Sequence, residues 1–500
     1  MASQEDFAWK QTKYGTFERR IDEAEQFYTT MERKFEGTGR IFFAMTAHVS
    51  FSVPREAGSL ALVAALSNAW LQLRYDHPTI ASWVEYDQQS DGCKKIYKAL
   101  NDENTLQRQA WLDQTFRIVS NGQNGKEWCN SDPPVPKLPT IFLIIRSNTT
   151  IDDKYKADVV LRSRHDIVDG IGCLQLLNNL FKHASLFLEN PNSPLPKFGN
   201  EWKNLSPPLR VAASIPASLQ PKQQEQLMQI SKTNSSLREN IDIASLPFKR
   251  GPVVPQRHQR VELTLDLEQS SSILDSIKHT GASVTHVYHA AIALLLRDLQ
   301  SRGSQERRVR YISYSLINER PLCKEPYSTP QHAASVYHSA SIPSLVIDLT
   351  VPSSSEEQAT SEAKKEEFTS VVEQVKSFYL TIRDDKEHIS LVPTYWAQST
   401  PSYPVGPGVP PVPAPNETPS ISISSMGVID SIISPKHGHF ELQSPWVTGE
   451  ELGSGLGFFL GSFRGRMCLS AAYNDAWHDG DEVLRLLRDC NELVAQGLGV

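Results

Sequence analysis

The sequence predicts an α/β or α+β protein built from two domains. Its 500 residues exceed what one ordinary hydrophobic core organises, so two cores are expected. Short β-branched runs alternate with longer segments of helical periodicity in both halves of the chain. A polar stretch, residues 216–255, interrupts this pattern and is predicted to be a crossover linker. We therefore expect an N-terminal domain at residues 1–215 and a C-terminal domain at residues 256–500.

Composition argues against several classes of function. The net charge of −7 and the scattered lysines and arginines disfavour a nucleic-acid-binding protein, whose basic residues usually cluster. The six cysteines are far apart and form no C-x-x-C pair, so we expect reduced thiols rather than disulfides or a zinc site. No His, Cys or carboxylate cluster has metal-ligand spacing, and P-loop and dinucleotide fingerprints are absent. The sequence therefore predicts neither a metal nor a tightly bound cofactor.

The sequence carries no recognisable targeting signal. The first residues are acidic and polar and contain no apolar signal core. The longest apolar runs, such as 140–145 and 290–296, are far shorter than the roughly 20 residues that span a bilayer. We therefore expect a cytoplasmic protein without a membrane span.

The N-terminal half contains segments with helical periodicity and segments typical of strands. Residues 55–73 have a broad apolar face at helical spacing. The predicted helix ends before His77-Pro78, because the residue before a proline avoids the helical conformation. Alternating or β-branched apolar runs predict strands at residues 42–50, 141–145 and 157–161.

The C-terminal half also contains predicted helices and strands. Residues 283–299 predict a long helix that is apolar on every side over 290–296, so we expect it at the centre of a core. Seven prolines within 401–415 exclude a helix or a central strand and predict a loop. The glycine-rich residues 453–461 predict a turn region. Strands are predicted at 260–265, 309–316, 420–425 and 466–473, and further helices at 368–379 and 480–494.

One histidine stands where a predicted strand meets a predicted helix. The strand at 157–163 ends at His165, and Gly170 begins a segment with apolar residues at helical spacing. A neutral imidazole held rigidly at such a junction can remove a proton from an alcohol near neutral pH. Asp169 is expected to brace the connection by pairing with a buried arginine. Gly170 is expected to let the backbone turn where a side chain would clash.

An H-x-x-x-D-G match also arises by chance, in roughly a few per cent of chains of this length. Most histidines are ordinary surface or core residues, and this chain has 14. The position of His165 at a strand end before an apolar helix favours the functional interpretation. The competing serine hydrolase class requires a G-x-S-x-G elbow, which the sequence lacks.

The segment from His165 to Gly170 resembles the signature of an acyltransferase superfamily. That superfamily includes chloramphenicol acetyltransferase, plant BAHD acyltransferases and nonribosomal peptide condensation domains. The D-F-G-W-G segment of the plant enzymes is missing, so the chain is more similar to the fungal branch that acetylates hydroxyls of secondary metabolites, such as trichothecene sesquiterpenoids. Further segments resemble family landmarks in the expected order, at residues 73–80, 281–296, 317–321 and 423–427.

The resemblance implies two chloramphenicol-acetyltransferase-like domains, each a mixed sheet flanked by helices, with the active-site channel between them. It implies acetyl-CoA as cosubstrate and a small-molecule alcohol as acceptor, entering from opposite faces. One chain can form that channel, so we expect a monomer. His165 would be the general base, and Asp169 would be a structural partner of Arg320. Ser424 or Ser425 would hydrogen-bond the oxyanion; the arginine and the serines can also be read as ordinary turn and strand-end residues.

Two other functions share parts of this pattern. A condensation-type enzyme has the same signature but takes its acyl donor from a carrier protein. A catalytically inactive binding scaffold would keep the fold, yet it would need neither His165 nor Asp169. Residues 401–415 are interpreted as a surface insertion, with a lid over the acceptor mouth as the alternative.

Overall fold

The computed structural model describes residues 4–38, 40–87, 92–101, 105–146, 154–249, 251, 254–355, 360–404, 406, 408 and 420–500. Strands and helices alternate along both halves, which confirms the predicted mixed α/β architecture. Two large hydrophobic cores lie against two large sheets, one in each half of the molecule.

The strands of the described part are β1 (Lys10–Lys13), β2 (Thr16–Arg20), β3 (Met45–Pro54), β4 (Ser82–Asp87), β5 (Gly92–Lys98), β6 (Phe116–Val119), β7 (Thr140–Ile145), β8 (Lys154–Ser163), β9 (Asp242–Ile243), β10 (His258–Thr264), β11 (Arg307–Ser313), β12 (Leu316–Asn318), β13 (His338–Ala340), β14 (Leu345–Val351), β15 (Ile421–Val428), β16 (Lys436–His437), β17 (Phe440–Gly449), β18 (Leu456–Phe463) and β19 (Arg466–Asn474). The helices are α1 (Glu23–Phe35), α2 (Ser59–Asp76), α3 (Thr105–Thr115), α4 (Gly125–Asn130), α5 (Gly170–Glu189), α6 (Leu209–Ala212), α7 (Pro221–Ser236), α8 (Leu267–Thr280), α9 (Val284–Asp298), α10 (Ser361–Asp384), α11 (His388–Ser399) and α12 (Gly480–Leu498). None of these helices combines the length and the apolar character that crossing a bilayer requires.

The larger sheet has the strand order β16-β17-β3-β8-β7-β6. Strands β3 and β8 pair antiparallel over their full length, with Met45 opposite Ser163. Helices α2 and α5 pack against each other, and α5 packs on β3 and β17. Because β8 is an interior strand of this sheet, the residues that follow its end start from a rigid base.

The second large sheet has the order β10-β19-β18-β15. The chain leaves it after β15, forms the hairpin β16–β17 in the larger sheet, and returns to it as β18. In that hairpin Val447 lies opposite Ala47 of β3, so residues of the C-terminal half complete the N-terminal sheet. The domain boundaries at 215 and 256 stay a prediction.

Helix α9 lies at the centre of the second core. Ser283 caps it, since the serine side chain accepts a hydrogen bond from the backbone nitrogen of His286. Residues 287–296 are all buried, as expected for a helix that is apolar on every side. Helices α10 and α12 pack against it.

The glycine-rich residues 453–461 are not the turn region that the sequence predicted. Most of them belong to β18, which pairs with β15 on one side and β19 on the other. A Cβ at Gly461 would lie 2.7 Å from the Cδ1 atom of Ile429, so the glycine allows the turn that follows β15 to approach β18 closely. Packing of neighbours over the strand, rather than a turn, explains this glycine.

The polar linker at 216–255 contains a helix. Helix α7 begins with Pro221, which is suited to the first turn of a helix because it needs no backbone N–H there. Leu227 is buried from this helix, so the linker is anchored to the body of the protein. Of the proline-rich residues 401–415, only 401–404, 406 and 408 lie within the described residues, and the loop prediction falls mostly outside them.

Candidate active site

His165 lies in the short connection between the end of β8 and the start of α5. Asp169 is the N-cap of α5, and its Oδ1 atom accepts a hydrogen bond from the backbone nitrogen of Gly172 at 2.8 Å. The backbone nitrogen of Asp169 donates to the carbonyl of Ser335 at 3.0 Å. The side chain of His165 lines a cavity and is only 8% exposed. The junction therefore holds this imidazole at the wall of a cavity.

Two rings enclose the imidazole of His165. Tyr28 of α1 stacks on it, with ring centroids 3.9 Å apart and planes 8° apart. His338 of β13 meets it edge-on, with centroids 5.0 Å apart and planes 86° apart. Burial, and next the neighbouring His338, lower the pKa of His165 to about 3, against smaller opposing effects of its own backbone carbonyl and Asp169. The imidazole is therefore neutral at neutral pH.

Asp169 and Arg320 form a buried ion pair. The Nη1 atom of Arg320 donates to Oδ2 of Asp169 at 2.8 Å, and the backbone nitrogen of Tyr337 donates to the same oxygen at 2.8 Å. Burial opposes ionisation of the carboxyl, but the charge of Arg320, the neighbouring His338 and the hydrogen bonds from Arg320 and the backbone of Gly172 outweigh it and lower the pKa of Asp169. The carboxylate thus ties the start of α5 to the segment that leads into β13.

A second set of polar contacts fixes the connection from behind. The Oδ2 atom of Asp166 accepts a hydrogen bond from the hydroxyl of Thr29 at 3.2 Å. The buried ammonium of Lys95 contacts both the backbone carbonyl of Asp166 and the carboxylate of Glu25. Thr29 and Glu25 belong to α1, so this helix is fastened to the loop that carries His165. Sequence reasoning missed these residues because they come from remote segments without a shared motif.

Ser424 and Ser425 of β15 both line the cavity that contains His165. The hydroxyl of Thr285, in the first turn of α9, donates to Oγ of Ser425 at 2.9 Å. Since that bond uses a lone pair of Ser425, the proton of Ser425 is left for another acceptor. No such orienting contact reaches Ser424 from the described residues. No sequence pattern indicated Thr285 as part of the site.

The cavity around His165 has a volume of about 370 Å³. Its ionisable residues are His165, His338 and the paired Asp169 and Arg320, apart from tyrosines. Eight aromatic side chains contribute to its wall, namely Phe27, Tyr28, Phe42, Phe43, Tyr314, Tyr395, Trp396 and Phe459. We refer to this space as the aromatic cavity.

A second cavity of about 370 Å³ adjoins the aromatic cavity. The two share three lining residues, Met426, Val447 and Phe459. The charged residues among its described lining are three arginines and one glutamate, Arg260, Arg464, Arg466 and Glu262. We refer to this space as the arginine cavity.

The arginines of this cavity differ in their contacts. Arg260 pairs with Glu262 at 2.6 Å and lies over the ring of Trp446, 4.1 Å from its centroid. Arg464 donates to the carbonyl of Pro435 at 2.9 Å. Arg466 is exposed, and no described acidic residue pairs with it. The arginine cavity therefore carries an excess of positive charge.

Gly170 does not serve the turn that the sequence suggested. Its backbone is helical, and a Cβ there would lie 3.6 Å from the Cε atom of Met426, an ordinary contact distance. The glycine that packing demands is Gly172. A Cβ at Gly172 would overlap the carbonyl oxygen of Ala333 and lie 2.8 Å from Cγ2 of Val168. The close approach between α5 and the segment before β13 thus depends on the second glycine.

Gly172→Ala is expected to lower the free energy of unfolding by about 1–3 kcal/mol, because a backbone carbonyl cannot move aside as a flexible side chain can. The matched control is Gly170→Ala, two residues earlier in the same turn. It should leave stability unchanged or raise it by up to about 1 kcal/mol, since alanine favours a helix. Urea unfolding of both variants checks this, and equal effects would contradict the assignment.

The site thus combines residues that the sequence indicated with others that it did not. His165, Asp169, Arg320 and the two serines lie in one region, together with Tyr28 and His338, which had not been selected. Tyr28 belongs to a charged helix, and His338 follows no motif. Among the described residues, no group of three or more His, Cys, Asp or Glu side chains is arranged to hold a metal ion.

The structure thus has two lobes built on mixed sheets, and a buried neutral histidine lines one of two adjoining cavities. The structure is similar to the TRI3 trichothecene 15-O-acetyltransferase of Fusarium sporotrichioides, with a TM-score of 0.79, 18% identity and coverage of 99% of this chain and 98% of that chain. It is also similar to the first condensation domain of the CDA synthetase, with a TM-score of 0.61, 13% identity and coverage of 95% and 96%. Both likenesses confirm the fold.

Sequence comparison gives the family. Residues 2–381 match the family model of the 15-O-acetyltransferase Tri3, and the chain therefore belongs to that family. The acetyltransferase pigO of Monascus ruber is 22% identical over 98% of each chain. The chain is accordingly an acyltransferase.

Proposed function

We propose that this acyltransferase transfers an acetyl group from acetyl-CoA to a hydroxyl of a fungal secondary metabolite, with His165 as general base. The observation that carries the proposal is the buried imidazole of His165, which is neutral at neutral pH and lines one of two adjoining cavities. A neutral imidazole can accept a proton, and two cavities offer separate approaches for donor and acceptor.

In this mechanism the imidazole of His165 removes the proton of the acceptor hydroxyl while the hydroxyl oxygen attacks the thioester carbonyl carbon. The tetrahedral intermediate then collapses, the C–S bond breaks, and the leaving thiolate takes the proton from the imidazolium. Ester and free thiol are the products, and the base returns to its neutral form. Burial disfavours the imidazolium; it therefore makes His165 a weaker base in the first step and favours release of the proton to the thiolate in the last.

The oxyanion of the intermediate needs a hydrogen-bond donor, and we assign this role to Ser425. Its hydroxyl is oriented by Thr285, which leaves the serine proton available. In a site from which water is excluded, one such bond contributes roughly 3–4 kcal/mol to transition-state stabilisation. Ser424, on the wall of the same cavity, is the alternative donor. Asp169 contributes indirectly, since its carboxylate is occupied by Arg320 and backbone donors.

The two cavities differ in the ligands that suit them. The arginine cavity suits the negatively charged phosphates of CoA, because three arginines and one glutamate line it. The aromatic cavity suits an apolar, ring-containing alcohol. The name of the family and the trichothecene acetyltransferase with a similar fold support a trichothecene-like sesquiterpenoid as acceptor.

The test follows free thiol release from acetyl-CoA with a panel of hydroxylated sesquiterpenoids, with and without the alcohol. We expect thiol release that requires an alcohol and is accompanied by the acetyl ester. Turnover with an acetylated carrier protein but not with acetyl-CoA would instead establish the condensation-type alternative. Thiol release without any alcohol would identify a hydrolase and contradict the proposal.

Arg466→Ala is expected to raise the KM for acetyl-CoA by up to about fivefold with little change in kcat, because an exposed charge–charge contact is worth roughly 0.2–1 kcal/mol. Arg466→Lys keeps the charge and should stay closer to wild type. With acetyl-pantetheine, which lacks the CoA nucleotide, the two variants should behave alike. An equal KM increase for both donors would contradict binding of the nucleotide in the arginine cavity.

We expect kcat/KM to stay constant as the pH is lowered from 8 to 5. The pKa of His165, lowered to about 3, keeps the base neutral throughout this range. An imidazole with an ordinary pKa near 6.5 would be only about 3% neutral at pH 5 and would lose activity about 30-fold. Initial rates in matched buffers of constant ionic strength measure this. A decline with an apparent pKa near 6.5 would contradict the proposed protonation state.

A further inference from the structure

The two cavities meet at a boundary formed by three side chains, Met426, Val447 and Phe459, which line both of them. In the proposed reaction the thioester carbonyl must lie within reach of the alcohol beside His165 and of the hydroxyl of Ser425. The nucleotide of the donor lies in the arginine cavity, so the thioester approaches this point from the other side of the boundary. The transferred acyl group therefore lies among the three shared side chains and must fit the space that they leave.

Met426 faces this boundary because β15 is irregular at that point. Ser425 and Gly427 pair with consecutive residues of β18, so Met426 is an additional residue that forms a β-bulge. Gly427 follows with a φ of 64°, a left-handed conformation that glycine adopts without strain. Side chains alternate between the two faces of a regular strand, yet Ser424, Ser425 and Met426 all line the aromatic cavity. The bulge thus turns Met426 toward the same space as the proposed oxyanion donor.

The end of the Met426 side chain crosses to the N-terminal half of the molecule. A Cβ at Gly170 would lie 3.6 Å from the Cε atom of Met426 and 3.7 Å from its Sδ atom. Met426 belongs to the C-terminal sheet, but it is half-buried against the N-terminal core. Since Gly170 is the first residue of α5 and has no side chain, the methionine fills the space beside the connection that carries His165.

The other two shared side chains form fixed sides of the boundary. Val447 is buried in the interior strand β17, and its β-branched side chain has little rotamer freedom. The ring of Phe459 lies close to Gly457, where a Cβ would be 3.2 Å from its Cε2 atom. Methionine is unbranched and adapts its end to the available space. Of the three, Met426 is therefore the side chain that sets the depth of the space for the acyl group.

We propose that Met426 limits the length of the transferred acyl group. Its Sδ and Cε atoms occupy the space beyond the methyl group of an acetyl thioester, so that a longer chain meets them. This inference rests on the proposed function, because it concerns the acyl group that the proposed reaction transfers. The bonds are those of that reaction: the thioester C–S bond breaks, and the C–O bond of the ester forms. Acetyl-CoA is then the donor that fits best.

The chain-length profile of wild type is the first part of the test. Acetyl-, propionyl-, butyryl-, hexanoyl- and octanoyl-CoA are compared with one hydroxylated sesquiterpenoid as acceptor, and alcohol-dependent thiol release is followed. We expect kcat/KM to fall at least about tenfold from acetyl- to butyryl-CoA, because each surplus methylene in an apolar pocket has an effect of that order. Wild type that used hexanoyl-CoA as well as acetyl-CoA would overturn the proposal.

Met426→Ala is expected to raise the ratio of kcat/KM for butyryl-CoA to kcat/KM for acetyl-CoA about 10- to 100-fold. Alanine lacks the Cγ, Sδ and Cε atoms of methionine, a space that suits the additional carbons of a butyryl group. Octanoyl-CoA should stay a poor donor, because its chain is longer than the space gained. Met426→Leu conserves most of the volume, and its ratio should stay within about threefold of wild type.

The matched control is Met45→Ala. Met45 lines the aromatic cavity but is not among the described lining of the arginine cavity, so this variant removes the same atoms away from the boundary. Its butyryl-to-acetyl ratio should equal that of wild type, even if its KM for the alcohol changes. A ratio of two donors does not depend on the folded fraction of the enzyme. An equal shift in Met45→Ala would show that total cavity volume sets chain length, and it would overturn the role of Met426.

The same measurements distinguish failure of this inference from failure of the proposed function. Wild type that released no thiol from any acyl-CoA in the presence of the alcohol would contradict the proposed reaction itself. Wild type active with acetyl-CoA, beside a folded Met426→Ala with an unchanged ratio, would leave the reaction standing and overturn only the role of Met426. Thermal unfolding establishes that each variant is folded. If Met426→Ala fails to fold, Met426→Val, which is also shorter and suits a strand, should shift the ratio in the same direction, and no shift would overturn the proposal.

Discussion

His165→Ala is expected to lower kcat about 10²- to 10⁴-fold, the range that general-base catalysis contributes. The reason is specific to this site, because His165 and His338 are the two histidines among the described lining of the aromatic cavity, which the serines of β15 also line. His338, the other histidine of the aromatic cavity, has its Nε2 atom engaged with Tyr28. Steady-state thiol release at saturating donor and alcohol measures the effect.

The control for this substitution is His279→Ala. His279 is exposed in the last turn of α8, outside both cavities, so its loss should leave kcat unchanged. His165→Ala extends an existing cavity and should unfold at nearly the same urea concentration as wild type. A folded His165→Ala variant with more than about a tenth of the wild-type kcat would show that another group takes the proton.

Asp169→Asn is expected to lower the free energy of unfolding by about 3–5 kcal/mol, since it leaves the guanidinium of Arg320 buried without a counter-charge. The two residues are 2% and 3% exposed, so water cannot compensate. An asparagine can still cap α5 through Gly172, but its amide cannot accept from both Arg320 and the backbone of Tyr337 as the carboxylate does. Urea unfolding measures the loss.

Loss of the pair should also lower kcat, because the segment that it anchors carries His338 and the start of α5. The double variant Asp169→Asn/Arg320→Gln removes both charges and should recover a good part of the lost stability. Asp169→Asn and Arg320→Ala variants that each kept wild-type stability and activity would show that this pair does not hold the connection.

The local sequence pattern predicted those helices and strands whose character is set by their own residues. Helix α9 and strand β19 match their predicted bounds within about two residues, because long, mostly buried apolar segments are evident in the local sequence. The glycine-rich start of β18 misled the prediction, since glycine favours turns locally and only the neighbouring strands show that it serves close packing. Pairing of β17 with β3 likewise depends on residues nearly 400 positions apart, which no local pattern encodes.

The candidate site was predicted only as far as its motif extends. His165 and Asp169 lie in one short segment, and the family resemblance of residues 317–321 implied Arg320 as the partner of Asp169. Tyr28 and His338 are 310 residues apart in the sequence and meet only in the folded molecule. Stacking of a tyrosine on a histidine has no sequence signature, so this part of the site required the structure.

The most direct measurement is the stoichiometry of acetyl ester and free thiol that wild type and His165→Gln form from acetyl-CoA and a hydroxylated sesquiterpenoid. We expect wild type to form one ester for each thiol, only when the alcohol is present, and His165→Gln to form neither at a comparable rate. Equal rates for the two proteins, or thiol formed without ester, would contradict an acyl transfer in which His165 is the base.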